Sequence, residues 1–317
     1  MASIVLQTEG LTKRYGSLVA VDDLNLQVNE GEVFGFLGPN GAGKTTSINM
    51  MCGLLKPDAG RVMVHGAPIA GGRADVRARV GVCPQDVVIW ERLTCLEQLQ
   101  FVGQMYGLAG REARRRSERL LDELDLAEKR DRQAHTLSGG MKRRLNLALA
   151  LVHDPDIIVL DEPEAGLDPQ SRVKVREYIR SLARAKTVIL TTHNMDEADR
   201  VADRIAIIDH GKLLVQDTPE ALKQRVGQGD VLEISLKGRP GEGDAERARA
   251  ALAHLDGQTT LDLARGTLTV RALNGVGMLP AILEALAKIG LQPGEAHLRE
   301  NTLEDVFIQL TGRRLRE

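Results

Sequence analysis

A glycine-rich stretch between two regular segments is the feature that most limits what this chain can fold into. Residues 38–46 read Gly-Pro-Asn-Gly-Ala-Gly-Lys-Thr-Thr. They follow an apolar run at 33–37 that predicts a buried strand, and they precede helix-forming sequence at 47–51. The pattern G-x-x-x-x-G-K-S/T between a strand and a helix is typical of the phosphate-binding P-loop. A chance glycine-rich turn before a lysine is the alternative, and the strand–loop–helix context argues against it.

The residue types in this loop suit a phosphate chain. Glycines let the backbone turn and bring its N–H groups close to an anion, and the helix that follows adds its positive end. Lys44 supplies a mobile positive charge for the β- and γ-phosphates, and the Thr45 hydroxyl is predicted to be a Mg²⁺ ligand. The predicted nucleotide-binding residues of the loop are Gly38, Pro39, Asn40, Gly41, Ala42, Gly43, Lys44, Thr45 and Thr46.

Composition excludes several classes of protein. With 317 residues, 43% hydrophobic and 27% charged, the chain is long enough for one large domain and a smaller one. A net charge of −2 gives no electrostatic reason to expect a nucleic-acid partner. The sequence has no secretion signal pattern and no run of about 18 apolar residues that could span a bilayer. Cys52, Cys83 and Cys95 lack metal-ligand spacing and are interpreted as reduced thiols of a cytosolic protein.

The order of segments predicts an α/β fold for the first part of the chain. Residues 4–29 alternate apolar and polar side chains, which favours antiparallel strands, and the helical period dominates from 94 to 151. Apolar runs at 157–160, 188–190 and 205–208 alternate with helical sequence and predict a mostly parallel core sheet. We expect a helical subdomain at about 86–152.

A change in charge and turn density near 227–229 predicts a boundary, which gives domains at 1–228 and 229–317. The second domain is predicted to be a small α+β unit of the ferredoxin-like βαββαβ pattern. Its strands are expected at 231–236, 259–264, 267–272 and 294–299, with helices at 245–255 and 276–289. A last amphipathic helix, 302–310, is expected to pack Leu303, Val306, Phe307 and Leu310 inward.

Two adjacent carboxylates end the apolar strand at 157–160. Because successive strand side chains point to opposite faces, Asp161 can hold Mg²⁺ while Glu162 is directed at a water molecule as general base. Two acids at a strand end are common by chance, so the P-loop context is what gives this pair its interpretation.

A second glycine-rich helix start, Ser138-Gly139-Gly140, follows Leu137. The simpler interpretation is a helix cap by Ser138. Two consecutive glycines are poor helix formers, however, and their amides with Ser138 make a second anion-binding helix end. The chain thus has two anion-binding helix N-termini but a single P-loop lysine. This predicts that the second N-terminus binds the γ-phosphate held by an identical partner chain, so that a two-fold dimer sandwiches two nucleotides.

Two further polar residues each follow a predicted core strand. Gln85 could reach Mg²⁺ or the attacking water, and His193 could hydrogen-bond the γ-phosphate or orient that water. Taken alone, each is as well explained as a solvated loop residue.

In this order, these motifs resemble the ATP-binding subunit of an ABC transporter over roughly the first 225 residues. The motifs are 38–46, Gln85, 137–141, 157–163, 166–168 and His193. The resemblance implies that Tyr15 stacks on adenine, that Gln85 lies in the loop that senses the membrane partner, and that residues 138–140 form the signature. It also implies that Asp168 lies at the dimer seam and that His193 is the switch histidine.

Three stretches, 92–94 with 106–108, 137–144 and 301–307, resemble the exporter branch typified by daunorubicin-resistance ATPases, which includes antibiotic, polysaccharide and nodulation-factor exporters. Met141 replaces the glutamine commonest after the signature glycines. Glu164 stands where the family usually has threonine, so an extra carboxylate is expected near the γ-phosphate, where it would slow closure on ATP.

The resemblance implies an ATPase with ATP and Mg²⁺ as cofactors. Its catalytic residues would be Glu162, His193, Lys44 and Gln85, and its metal ligands Thr45, Gln85 and Asp161. It implies a second ATP-binding subunit and integral membrane permease subunits as partners, at the cytoplasmic face of the membrane. The alternatives are a non-transport ABC ATPase acting on DNA or ribosomes, a P-loop kinase, and a regulatory or immunity protein that binds ATP without pumping.

Overall fold

The computed structural model describes residues 3–69, 74–183, 185–225, 230–238, 240–241, 243–255, 258–262, 266–272 and 275–312. Its strands are β1 (Ile4–Tyr15), β2 (Leu18–Asn29), β3 (Val33–Leu37), β4 (Ala59–Val64), β5 (Ala67–Pro68), β6 (Val80–Cys83), β7 (Ile157–Asp161), β8 (Thr187–Thr192), β9 (Arg204–Asp209), β10 (Lys212–Asp217), β11 (Asp230–Leu236), β12 (Gln258–Asp262), β13 (Thr267–Ala272) and β14 (Pro293–Arg299). Its helices are α1 (Lys44–Met51), α2 (Ala74–Ala78), α3 (Cys95–Met105), α4 (Gly110–Glu123), α5 (Gly139–Leu151), α6 (Pro169–Leu182), α7 (Met195–Val201), α8 (Pro219–Arg225), α9 (Asp244–Leu252), α10 (Gly275–Lys288) and α11 (Leu303–Thr311).

The first compact unit, which ends at Pro219, contains two sheets. The core sheet has the order β10-β9-β3-β8-β7-β6 and is parallel except for β10, which pairs antiparallel with β9. The other sheet, β2-β1-β4-β5, is antiparallel. These findings confirm the α/β prediction of a mostly parallel core with an antiparallel β subdomain.

Apolar side chains from both sheets and from α1 form one buried cluster, to which Leu24, Phe36, Ile48, Val62 and Val159 contribute. Every residue of β3, β7 and β8 is buried, as expected for parallel strands covered on both faces. The carboxyl ends of these strands lie at one edge of the sheet, where an open α/β sheet places its ligand site.

The predicted helical region at about 86–152 has its helices at α3, α4 and α5. The first of them starts only at Cys95, because Thr94 is its N-cap and forms a capping box with Glu97. Residues 84–94 are therefore a non-helical connection, and not the start of a long helix. α5 begins after Ser138, whose hydroxyl accepts a hydrogen bond from the N–H of Met141.

The second compact unit begins at Glu220. The predicted boundary at 227–229 falls outside the described residues. The sheet of this unit has the order β12-β13-β11-β14 with every neighbouring pair antiparallel, and the elements follow one another as β-α-β-β-α-β before α11. That element order agrees with the βαββαβ pattern. β12 starts one residue before the strand predicted at 259–264, and the last two residues of that prediction, 263–264, lie outside the described residues.

Three of the four apolar residues predicted to face inward on the last helix do so. Leu303, Val306 and Phe307 are buried, whereas Leu310 is 46% exposed. The expectation for Leu310 was wrong because this residue lies in the final turn of α11, just before Gly312 ends the helix in a left-handed conformation.

Asp305 fixes α11 to its own unit through charge as well as packing. Its carboxylate accepts hydrogen bonds from Arg299 at 2.6 and 3.1 Å, from Arg271 at 2.8 Å and from the N–H of the N-cap residue Thr302 at 2.9 Å. Burial favours the neutral acid, but the hydrogen bonds from Arg299 and from the Thr302 N–H outweigh it and lower the pKa of Asp305 to about 2.

Replacing Asp305 by Asn is therefore expected to weaken α11 at neutral pH. The folded pKa lies below the unfolded value of about 4, so the contribution of Asp305 is present above pH 4 and is lost as the pH falls towards 2. We expect the opening free energy of α11, measured by hydrogen exchange, to fall by about 2 kcal/mol at pH 7 and by about half as much at pH 3. Glu304→Gln, an exposed neighbour, is the control; an equal loss at both pH values would contradict this account.

Among the helices that the structure describes, none combines the length and the apolar composition that a membrane span requires.

Candidate functional site

A cavity of about 410 Å³ lies at the carboxyl edge of the core sheet. It brings together residues that are far apart in the sequence: the loop before α1 and the ends of β6, β7 and β8. Its lining consists of Tyr15, Leu18, Val19, Ala20, Asn40, Gly41, Gly43, Lys44, Thr45, Thr46, Gln85, Asp161, Glu162, His193 and His210. We call this cavity the cleft.

Two glycines of the P-loop, Gly38 and Gly43, are required by close backbone contacts. A Cβ atom on Gly38 would lie 2.4 Å from the Ile208 carbonyl oxygen, and one on Gly43 would lie 2.3 Å from that of Ala20. Gly43 also has a φ of 99° at the N-cap of α1, a conformation that side chains rarely adopt. The loop is thus wedged between β2 and β9, and α1 starts with its positive end at the cleft.

Lys44 lies at the bottom of the loop and is buried. Its Nζ donates to the carbonyl oxygens of Gly38 at 2.7 Å and Pro39 at 3.1 Å. Burial lowers the pKa of Lys44, while the carboxylates of Glu162 and Asp161 act in the opposite direction. A cation that donates its hydrogen bonds to loop carbonyls can exchange these neutral oxygens for the charged oxygens of a phosphate, a stronger type of hydrogen bond.

Asp161 ends β7 with a buried carboxylate that accepts a hydrogen bond from the Thr191 hydroxyl of β8. Its neighbours across the cleft, the Thr45 hydroxyl and the Gln85 side chain, are oxygen donors of the kind that Mg²⁺ prefers. Among the described residues no group of three or more His, Cys, Asp or Glu side chains is placed to hold a metal. The oxygen donors of Thr45, Gln85 and Asp161 fit a hard ion that also binds phosphate and water.

Glu162 and His193 are in direct contact, which the sequence did not reveal. The Glu162 Oε1 atom is 2.9 Å from His193 Nδ1 and accepts the backbone N–H of His193 at 3.1 Å. The backbone of Glu162 has a φ of 48°, which is strained for a residue with a side chain, and its N–H is held by Thr191. A buried carboxylate oriented by an imidazole is the arrangement that a general base needs.

The signature residues and Asp168 lie outside the cleft. Ser138, Gly139 and Asp168 are exposed, and apart from its own helix no described residue lies within 4 Å of the place where a Cβ atom on Gly139 would be. Asp168 caps α6, with its carboxylate accepting hydrogen bonds from the N–H of Ser171 at 3.0 Å and its hydroxyl at 2.6 Å. The N-terminal end of α5, at Ser138–Gly140, is thus accessible, and a group from outside this chain can bind its amides.

Comparisons with known proteins agree with this geometry. A family profile described as ABC transporter matches residues 21–165. The daunorubicin resistance ATP-binding protein DrrA3 of Streptomyces coeruleorubidus is 39% identical over 100% of this chain and 99% of its own. The chain belongs to the ABC transporter family. It contains the family's ATP-binding domain, which confirms the recognition made from the motifs.

Other ABC proteins show the same likeness. A Nod factor export ATP-binding protein I from Ralstonia nicotianae is 40% identical over 99% of this chain and 95% of its own. A solved dimer of an ATP-binding cassette in a post-hydrolysis state, bound to ADP and phosphate, has a TM-score of 0.61 and 26% identity over 67% of this chain and 98% of its own. These likenesses confirm the ABC ATPase fold of the first unit.

In this ABC protein Glu164 does not line the cleft, so the expected carboxylate beside the γ-phosphate is directed elsewhere. Its half-buried side chain lies 3.8 Å from Arg176 of α6, and the same arginine also pairs with Glu197 of α7. Burial and the nearby Glu197 carboxylate raise the pKa of Glu164 to about 7, against the effect of Arg176. Its buried Oε2 atom has no hydrogen-bond partner among the described residues.

Glu164 is therefore expected to make the stability of the first unit depend on pH. The native state holds the proton more tightly than the unfolded chain, so the contribution of Glu164 is lost as the pH rises from about 4.5 through 7. Glu164→Gln removes this titration. We expect its free energy of unfolding, relative to wild type, to increase by on the order of 2 kcal/mol between pH 5 and pH 8 in urea titrations. Glu177→Gln, exposed on α6, is the control; a pH-independent difference would argue against this origin.

Proposed function

We propose that this chain is the ATP-binding and ATP-hydrolysing subunit of an ABC exporter. The observation that carries the proposal is the cleft, where Lys44, Asp161 and the Glu162–His193 pair lie at one edge of the sheet. An anion-binding loop alone would suit many nucleotide-binding proteins. A carboxylate held against an imidazole beside it supports hydrolysis.

The cleft fits ATP with Mg²⁺. The loop amides and Lys44 suit the phosphates, and Tyr15, which is half-exposed in the lining of the cleft, offers its ring to the adenine. Thr45, Gln85 and Asp161 would hold the Mg²⁺, which neutralises charge on the phosphate oxygens when it is bound.

Hydrolysis then follows from the placement of this chain's own groups. Glu162 accepts a proton from the attacking water, His193 holds the carboxylate in place, and Lys44 stabilises the charge that develops on the γ-phosphate. Water must be excluded from the rest of the site for these interactions to have their full strength. In the proposed dimer, residues 138–140 of the second copy supply that closure.

A homodimer accounts for the two anion-binding ends. The exposed Ser138–Gly140 end of one copy would close over the nucleotide in the cleft of the other, and Asp168 would lie at the seam. ATP can drive this closure only because it would bind the closed pair more tightly than the open one. Hydrolysis removes that preference and reopens the dimer.

Glu162→Gln is expected to bind ATP, to accumulate as a dimer and to lose turnover. The amide keeps the side chain's shape but cannot accept the proton, so kcat should fall by about 10²- to 10⁴-fold. Steady-state ATPase assays with Mg²⁺ and scattering in the presence of ATP measure both effects. Glu128→Gln, an exposed glutamate of the helical region, should behave as wild type. Hydrolysis at the normal rate by Glu162→Gln would remove Glu162 from this role.

An apolar patch beside Gln85 is the proposed contact with a membrane permease. The side chains of Val88, Trp90, Phe101 and Met105 are between 43% and 68% exposed, and the Trp90 and Phe101 rings contact edge to face at 5.5 Å. An exposed apolar cluster of this kind is typical of a protein interface. The patch adjoins the cleft through Gln85, so a permease bound there would be connected to the nucleotide.

Trp90→Glu combined with Phe101→Glu is expected to reduce co-purification with the permease by at least about tenfold, since aromatic anchors carry much of an interface's free energy. The ATPase activity of the isolated chain should change little, because neither ring lines the cleft. Leu214→Glu, which alters an exposed apolar side chain of β10, is the control. Undiminished co-purification would place the permease contact elsewhere. Identifying the permease that co-purifies with the wild-type chain would also direct the search for the exported compound.

A further inference from the structure

A buried arginine on the signature helix holds the two edges of the cleft together. Arg143 is the fifth residue of α5, and its side chain is only about 5% exposed. All five of its N–H groups find backbone carbonyls. Nε donates to Pro163 at 3.3 Å, one terminal nitrogen to Pro84 at 2.9 Å and Gln85 at 2.6 Å, and the other to Asp161 at 2.8 Å and Glu162 at 2.6 Å.

These five carbonyls come from two separate segments. One is the connection after β6 that contains Gln85, and the other is the end of β7 that contains Asp161 and Glu162. Only a planar guanidinium has enough donors, at fixed angles, to serve both at once. A buried cation that lacked these partners would be costly, so the contacts require α5 and both segments to keep their relative positions.

Three of the residues that carry these carbonyls also have the side chains that perform the proposed chemistry. The side chains of Gln85, Asp161 and Glu162 line the cleft, while their carbonyl groups accept hydrogen bonds from Arg143 on the opposite side of the backbone. About one helical turn before Arg143, the same helix starts after its N-cap Ser138, which does not line this chain's own cleft. A shift of α5 is therefore transmitted to the backbone that carries the general base.

We propose that Arg143 is a positioning residue that links the two nucleotide sites of the dimer. When α5 closes over the nucleotide of the partner chain, Arg143 brings Gln85 and Glu162 of its own cleft into line for hydrolysis. This inference rests on the proposed ATPase dimer. It names Arg143 as the residue that connects the partner's nucleotide site, which α5 covers, to the cleft of its own chain.

A purely structural role for Arg143 makes different predictions. Loss of a buried hydrogen-bond hub lowers stability and would weaken ATP binding and turnover together. A positioning role leaves ATP bound by the P-loop, whose contacts do not include Arg143, and lowers kcat. It also lowers the cooperativity between the two sites, because each site no longer responds to closure at the other.

The test uses the full-length chain with Arg143→Gln and Arg143→Lys, and Lys142→Gln as the control. Lys142 is the neighbouring cation on α5 and pairs at 3.5 Å with the side chain of Glu91, which lies in the connection after β6, six residues beyond Gln85. We measure Mg²⁺-ATPase kcat, KM and Hill coefficient, binding of a fluorescent ATP analogue, and thermal unfolding. Misplacement of a catalytic group by about 1 Å costs roughly 10²-fold in rate.

We expect kcat of Arg143→Gln to fall by about 10- to 100-fold with ATP affinity within about threefold of wild type and a Hill coefficient near 1. Arg143→Lys keeps the charge with fewer donors and should be intermediate, and Lys142→Gln should match wild type. Normal kcat in both Arg143 variants, or parallel loss of ATP affinity and turnover, overturns the inference. A wild-type chain without Mg²⁺-dependent ATPase activity instead overturns the proposed function, and the inference with it.

If neither Arg143 variant folds, hydrogen exchange on Glu162→Gln with and without ATP decides the matter. Coupled segments should gain protection together at 84–90, 138–146 and 161–165. Protection confined to one of these segments overturns the inference.

Discussion

The parallel pairing of β3, β8 and β7 is the constraint on which the rest of the site depends. Leu37 pairs with Thr192, and Asp161 pairs with Thr191, so the strands end at nearly the same level. The P-loop, the two carboxylates and His193 each follow the end of one of these strands. A shift of one strand by one residue would reverse the faces of its side chains and separate these groups.

Much of this arrangement could be predicted because each motif has a local signature. The strand–loop–helix context of residues 38–46 and the apolar run before Asp161 gave the sheet edge and the cleft side chains. The cap of α5 was also visible, since a serine before a helix has a defined local contact. In the second unit, the alternation of strands and helices gave the element order, because every connection there is short.

The features that could not be predicted are long-range side-chain contacts. Nothing near Arg143 in the sequence indicates that it points inward to the carbonyls of Pro84 and Glu162, since it stands in a run of three cationic residues, 142–144, that resembles a solvated helix face. The direction of Glu164 also depended on α6 and α7, which supply Arg176 and Glu197. Local pattern fixes where a residue sits along its element, but packing decides what its side chain contacts.

The left-handed backbone of Glu162 has a consequence for how this protein can change. Asn and Gly adopt such a conformation at lower cost than Glu, so either would relieve part of about 1–3 kcal/mol of local strain. Neither can serve as a base for water. Selection for heat resistance alone would therefore favour replacement of the glutamate at this position. Residue 162 should be kept fixed when more stable variants of this protein are designed.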